Sequence, residues 1–283
     1  MIRAANRSLG SHGWHTIPTV RRQSLQTRVR TLVRLAIAGA TALACASPSR
    51  VGGLADPAAA GRAAQVLLVL PLNVTVPIPT GLEGPGLAVW AELENHLGAH
   101  GKRLKTVSYQ DARRLWLMSV ERARRSEKSD ATDFAAAARL LTVELRRHTE
   151  FDAVIAPSLF IQQAAIHGTR AVWDGVNRPI EVRRESRRIR RNKLRASRTA
   201  RCASLHVAVF DASGRHIHEG QGGLDLLVRE HVDEELSHDL ATAEYRYFEA
   251  RPEYFDDSAL LREGVAKALD PFLPPEPTER EPL

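Results

Sequence analysis

Apolar residues recur at helical spacing in five stretches of the chain, with short unbroken or alternating apolar runs between them. The helical stretches are Leu87–Leu97, Asp111–Arg125, Thr132–Thr149, Val232–Phe248 and Asp257–Phe272. In the third, Phe134, Ala138, Leu141 and Leu145 stand at i, i+4, i+7 and i+11, which lines one helix face. In the fourth, Leu236, Leu240, Ala243 and Tyr247 hold the same register. Gly98 and Gly101 stop the first helix, Asp111 caps the second, and a cluster of prolines from Pro271 ends the last.

The extended runs alternate with these helices. Gln65–Leu72 (QVLLVLPL) is apolar throughout, as an interior strand is, and Arg103–Val107 reads as a second strand. In Phe151–Gln163 (FDAVIAPSLFIQQ) the run Ala153–Ala156 predicts a central strand buried on both faces. Val154 and Ile155 are expected near Val69, Leu70 and Val207, since four apolar runs in one domain share a core. Ala164–Trp173 and Arg178–Arg183 look extended, broken by the turn pair Asp174-Gly175. Ser204–Phe210 and Arg215–Leu227 predict a hairpin closed by Ala212-Ser213-Gly214, with Gly214 in the left-handed position. That loop sets Phe210 opposite His216 and Val209 opposite Ile217, and puts Leu205, Val207, Val209 and Ile217 on the core side.

The order predicts an α/β (α+β) domain over 62–273, a single mixed β-sheet with helices packed on it. The expected architecture is an anticodon-binding-like three-layer or two-layer sandwich. Residues 46–61, rich in Ala, Gly and Pro, read as a flexible tether, and 274–283 as a disordered tail.

Charge changes the picture only once it is mapped. The 283 residues carry a formal charge of +7. Seven arginines and no Lys, Asp or Glu fall in residues 1–45, so the remainder sums to 7 − 7 = 0. Within that remainder, 183–201 (RRESRRIRRNKLRASRTAR) holds nine Arg and Lys193 against Glu185, a net of +9, and the rest must therefore sum to −9. A basic insertion on an acidic body results. Arg187, Arg188, Arg190 and Arg191 are its candidate anion contacts. The run lacks aromatics for base stacking, so phosphates of anionic lipid or lipopolysaccharide, or an acidic protein face, suit it better than nucleic acid. It is expected to be exposed between two strands, because so many cations in 19 residues repel one another and resist burial.

Leu35–Ala44 (LAIAGATALA) is a charge-free run of ten apolar or small residues behind Arg30 and Arg34, too short to span a bilayer and matched to a secretory signal core. It ends at Cys45, the candidate lipidation site, although Ala42 stands where the lipoprotein pattern prefers Leu. Ala42-Leu43-Ala44 also meets the small-x-small rule of ordinary signal cleavage. Residues 1–45 thus read as leader. A start at Val29, with 1–28 outside the translated chain, gives a leader of ordinary proportions. Ala46 follows the cysteine in place of the Asp of the enteric inner-membrane retention pattern, and by that resemblance the outer membrane is the expected destination. The other cysteine, Cys202, has no second partner in the mature chain, so no intrachain disulfide is expected.

His206, His216 and His218 fall on one face of the predicted hairpin, opposite the core, where His-x-His spacing aims two rings the same way. They are weak metal candidates, since no Cys or carboxylate completes the set. Nucleophile-elbow, zincin, phosphate-loop and dinucleotide signatures are absent from the sequence, and Gly220-Gln221-Gly222-Gly223 reads as a bulge or bend. No cofactor is called for.

The element order carried by Val66–Leu72, Phe151–Ala156, Ser204–Asp225 and Asp257–Phe272 resembles the small α/β domain of periplasmic lipoproteins. The curli-secretion lipoprotein and the amino-terminal domain of the Tol-system propeller protein are examples. The resemblance covers most of Gln65–Leu273 and implies a non-enzymatic bacterial envelope lipoprotein, membrane-held by its lipid, that binds an envelope partner or supports an assembly. Two other classes stand beside it: an exported metal-dependent enzyme using the hairpin histidines, and a cytoplasmic nucleic-acid binder using the arginine run.

Overall fold

The computed structural model describes residues 56–126, 134–185, 199–233, 245–251 and 253–273. The chain is an α/β protein, and β3 (Ala153–His167) organises it. One edge of β3 pairs along 13 residues with β7 (Thr199–Asp211), antiparallel, from Ala153↔Asp211 to Ala165↔Thr199. The other edge is shared. Its first residues pair in parallel with β1 (Val66–Val69), and its last three pair with β4 (Arg170–Trp173), antiparallel. β2 (Arg103–Thr106) adds to β1, β5 (Val176–Pro179) to β4, and β8 (His216–Leu226) to β7, giving a mixed seven-stranded sheet.

Between the end of β1 and the start of β4, no strand among the described residues pairs with the shared edge of β3, and Asn73 fills the gap. Its backbone N–H donates to Pro157 O, its Oδ1 accepts from Leu159 N–H, and its Nδ2 donates to Leu159 O. The buried side chain replaces one rung of a ladder, and φ of 60° at Asn73 is a value that Asn tolerates better than most residues. Pro157 can sit inside β3 because β1 has already stopped there.

Helices cover both faces, which makes the three-layer form of the expected sandwich. On one face lie α1 (Pro57–Ala63), α2 (Gly86–Ala99) and, late in the chain, α5 (Ser258–Leu269). Val89, Leu93, Leu97, Leu261, Val265 and Leu269 meet Val69, Ile155, Leu205 and Val207 there. On the other face lie α3 (Tyr109–Ser126) and α4 (Phe134–Arg146), whose Leu115, Trp116, Leu141 and Leu145 pack on Leu68, Leu70, Val154 and Phe210. Val154 and Ile155 are therefore both buried, as expected, but they serve opposite cores. The cap of α3 is Ser108 rather than Asp111. Ser108 Oγ accepts from Asp111 N–H at 3.1 Å and donates to the Asp111 carboxylate at 2.7 Å.

Four expectations need correction. Residues 57–61 are not tether: Pro57–Ala63 is a helix capped by Asp56, its Gly61 is buried, and the domain therefore begins before residue 62. The sheet is not single: β6 (Val182–Glu185) pairs in parallel with β9 (Val228–Asp233), and β9 pairs antiparallel with β10 (Tyr245–Ala250), forming a second, three-stranded sheet. The helix expected over Val232–Phe248 is consequently wrong at both ends, which are strand; 234–244 lies outside the described residues. Arg183, Arg184 and Glu185 belong to β6, and Arg201 to β7, so the basic insertion is shorter than 183–201. A third core joins Trp173 and Val176 of the β4–β5 hairpin to Cys202, Leu226 and Val228. Among the described residues no helix is long and apolar enough to cross a membrane.

Candidate functional site

The hairpin histidines do not converge. Gly214 takes φ of 80° in the three-residue loop and Phe210 opposes His216, both as expected. The register then slips between Phe210 and Val209, so that Val209 opposes His218 instead of Ile217. A one-residue slip reverses every later side chain, and it carries His218 to the opposite face. His206 and His216 stay on the α3–α4 side. His206 Nε2 meets Glu219 Oε1 at 2.8 Å, and the His216 ring lies 5.3 Å from that of Phe210. The bond to His206 holds the Glu219 carboxyl below its usual range.

His218 is buried under α5. Its Nε2 lies 3.0 Å from Ala268 O, and its ring stacks on Phe272. Burial holds its pKa below the ordinary value. A neutral ring donating to a carbonyl is a packing element and not an open ligand. Among the described residues, no group of three or more His, Cys, Asp or Glu side chains could hold a metal ion.

Cys202 lies fully buried in the third core, 3.5 Å from Gln162 O, and burial pushes its thiol up to about 12. Such a thiol is neither nucleophilic nor open to disulfide exchange. Cys45 and the four candidate arginines, Arg187, Arg188, Arg190 and Arg191, lie outside the described residues.

A cleft of about 550 Å³ opens beside the edge strand β2. Leu68, Leu115 and Leu145 form part of its lining, together with Lys105, Asp111, Arg114 and His148. It exists because α3 and α4 meet over β1 and β3 and leave the edge strand uncovered. Lys105 Nζ donates to Thr149 Oγ1 at 3.1 Å and to Glu150 O at 2.7 Å, and Arg114 Nη2 reaches Asp111 Oδ1 at 3.2 Å. Sequence reading passed over this cleft, since it is assembled from β2, α3 and the end of α4, and no local motif marks it.

No protein family and no curated protein matches the chain. Among solved structures, a neuraminyllactose-binding hemagglutinin homolog from Helicobacter pylori aligns over 72% of this chain and 80% of that one, at 7% identity and a TM-score of 0.28. At that level of likeness neither fold nor function carries over.

Proposed function

We propose that the chain is an exported, lipid-anchored envelope protein that works by binding a partner or supporting an assembly and not by catalysis. The observation that carries this reading is the burial of Cys202. Of two cysteines, one is locked in a core with a depressed tendency to ionise, so it cannot serve as a disulfide partner for Cys45 without opening that core. Cys45 is thereby left at the end of a charge-free apolar run, the place where a lipid is attached in exported proteins. Ten residues separate Cys45 from Asp56, where α1 is capped, and they can span at most about 35 Å. The folded unit would therefore work close to the membrane. The element order, similar to that of small periplasmic lipoprotein domains, agrees with it.

The test is fractionation with mass measurement. The wild-type chain is expected in the membrane fraction with a mature amino terminus at an acylated Cys45, and Cys45→Ser is expected in the soluble fraction. An unmodified terminus at Ala46 or beyond, or unchanged membrane partition of Cys45→Ser, would overturn the anchor.

A further inference from the structure

We propose that the outer face of α3 is a docking surface for an anionic phospholipid bilayer, which deepens the anchored reading by naming the membrane itself as a partner. The anchor enters only as the means of bringing the surface near. The inward face of α3 is already filled by Ala112, Leu115, Trp116, Ser119 and Ala123. The outward strip runs Arg114, Leu117, Met118, Glu121, Arg122, Arg125, spaced i, i+3, i+4, i+7, i+8 and i+11, so these residues adjoin along one side of the helix. Leu117 is 52% exposed and Met118 42%. Two large apolar residues thus face outward between guanidinium groups, the arrangement of a helix that lies in a headgroup layer.

Charge supports the same occupant. The helices α3 and α4 hold seven arginines against three acids, and each acid is already bonded to arginine: Asp111 to Arg114, Glu121 to Arg125, and Glu144 to both Arg122 and Arg147. With the connecting segment 127–133 included, residues 109–147 still carry nine Arg and Lys against six Asp and Glu. The helices on the opposite face hold three of each. Arg114 also lines the cleft with Lys105, one turn from Leu117. Lipid phosphates can therefore meet cations there while Leu117 and Met118 enter the interface.

The experiment uses the mature chain from Ala46 to Leu283, which carries neither Cys45 nor the basic, apolar leader, in sedimentation with phosphatidylcholine vesicles made with and without phosphatidylglycerol. Binding is expected only with phosphatidylglycerol and is expected to weaken as salt rises. Arg114→Ser, Arg122→Ser and Arg125→Ser together should weaken it at least about tenfold, each cation near such a surface being worth roughly fivefold. Leu117→Ser with Met118→Ser should weaken it by about tenfold through lost apolar insertion. The thermal midpoint reads folding separately, and these exposed positions should leave it nearly unchanged. Serine at Arg187, Arg188, Arg190 and Arg191 should leave binding largely intact. Binding lost with that variant and kept by the α3 variants would overturn the proposal, as would equal binding to uncharged vesicles. So would binding seen only when lipopolysaccharide replaces phosphatidylglycerol, or no binding at all. None of these results bears on whether Cys45 is acylated, which the amino-terminal mass decides.

Discussion

The two helical layers of the sandwich are built on different terms. The layer of α1, α2 and α5 is drawn against the sheet until backbone meets backbone. A Cβ on Gly222 would lie 1.8 Å from Gly264 O, and one on Gly220 would lie 2.1 Å from Ala268 O. Lys102 Nζ donates to Gly61 O and Ala64 O at 2.8 Å, and the buried Glu92 carboxylate meets Arg262 Nε at 3.0 Å. Among the described residues, the layer of α3 and α4 comes this close at the β7–β8 loop, where a Cβ on Gly214 would lie 2.6 Å from Arg139 Cα, but not over the face of the sheet. It packs through side chains, Trp116, Phe134 and Phe210 among them, and turns arginines and apolar residues outward. A neutral layer locked by glycine and a cationic layer held by side chains divide the work: the first fixes the sheet, and the second is free to meet a surface.

The sharpest way to break this division is to put a side chain between α5 and β8. Gly222→Leu should destabilise by at least about 4 kcal/mol, because neither the Gly264 carbonyl nor the strand can retreat without unpacking the core. On the other layer, Leu117→Ala should cost less than about 1 kcal/mol, since half of that side chain already faces solvent. Urea unfolding of both variants checks the pair. Similar losses at the two sites would mean that the layers are not distinct.

Much of the sandwich was legible because strand and helix periods are local properties. The run Ala153–Ala156, the stripe Phe134–Leu145 and the loop at Gly214 each specify their own geometry within a few residues. What escaped depended on partners far along the chain. The fourth expected helix failed because its ends are strands, held by β6 and by each other, and β6 lies some fifty residues upstream. Apolar spacing cannot register such a partner. His218 was misplaced by a single extra residue at Ile217, a slip that no side-chain pattern announces. The glycines of β8 signal a bulge or bend, and the register does shift beside Gly223, but their close approach to α5 depends on a helix some forty residues on. The cleft beside β2 joins three separate elements and has no sequence signature.

Acid should act on the locked layer first. His218 and His96 both titrate below the ordinary histidine value, in each case chiefly through burial. Above about pH 7.5 both rings are neutral whether folded or unfolded, and they contribute nothing to the pH dependence. Below it the unfolded chain takes up protons that the folded one resists, so stability falls as pH drops toward the folded values. Asp225 works in the other direction: burial raises its pKa despite the donors Arg251, Phe255 and Leu226, so its protonation on acidification favours the folded state. The informative quantity is therefore a difference between variants. The urea midpoint should fall between about pH 7 and pH 5.5, and His218→Gln, which can still donate to Ala268 O, should flatten that fall. An unchanged slope would show that His218 is not the sensor.

The smallest expected effect tests the cationic layer on its own. Arg125 and Glu121 pair at 3.2 Å with side chains 76% and 54% exposed, and exposed pairs of this spacing on a helix contribute only about 0.3–0.5 kcal/mol. Removing the arginine should cost no more than that, since water takes its place on the carboxylate. Arg262 offers the contrast. It is also an exposed arginine, but its partner Glu92 is buried, so Arg262→Ala removes the cation from a carboxylate that has little solvent of its own and should cost about 1–3 kcal/mol. Measured side by side in urea, Arg125→Ser should sit within about 0.5 kcal/mol of wild type while Arg262→Ala falls clearly below it. A cost above about 1 kcal/mol for Arg125→Ser would mean that the arginines of α3 are structural after all, and the outward face of that helix would then lose its claim to be kept for a membrane.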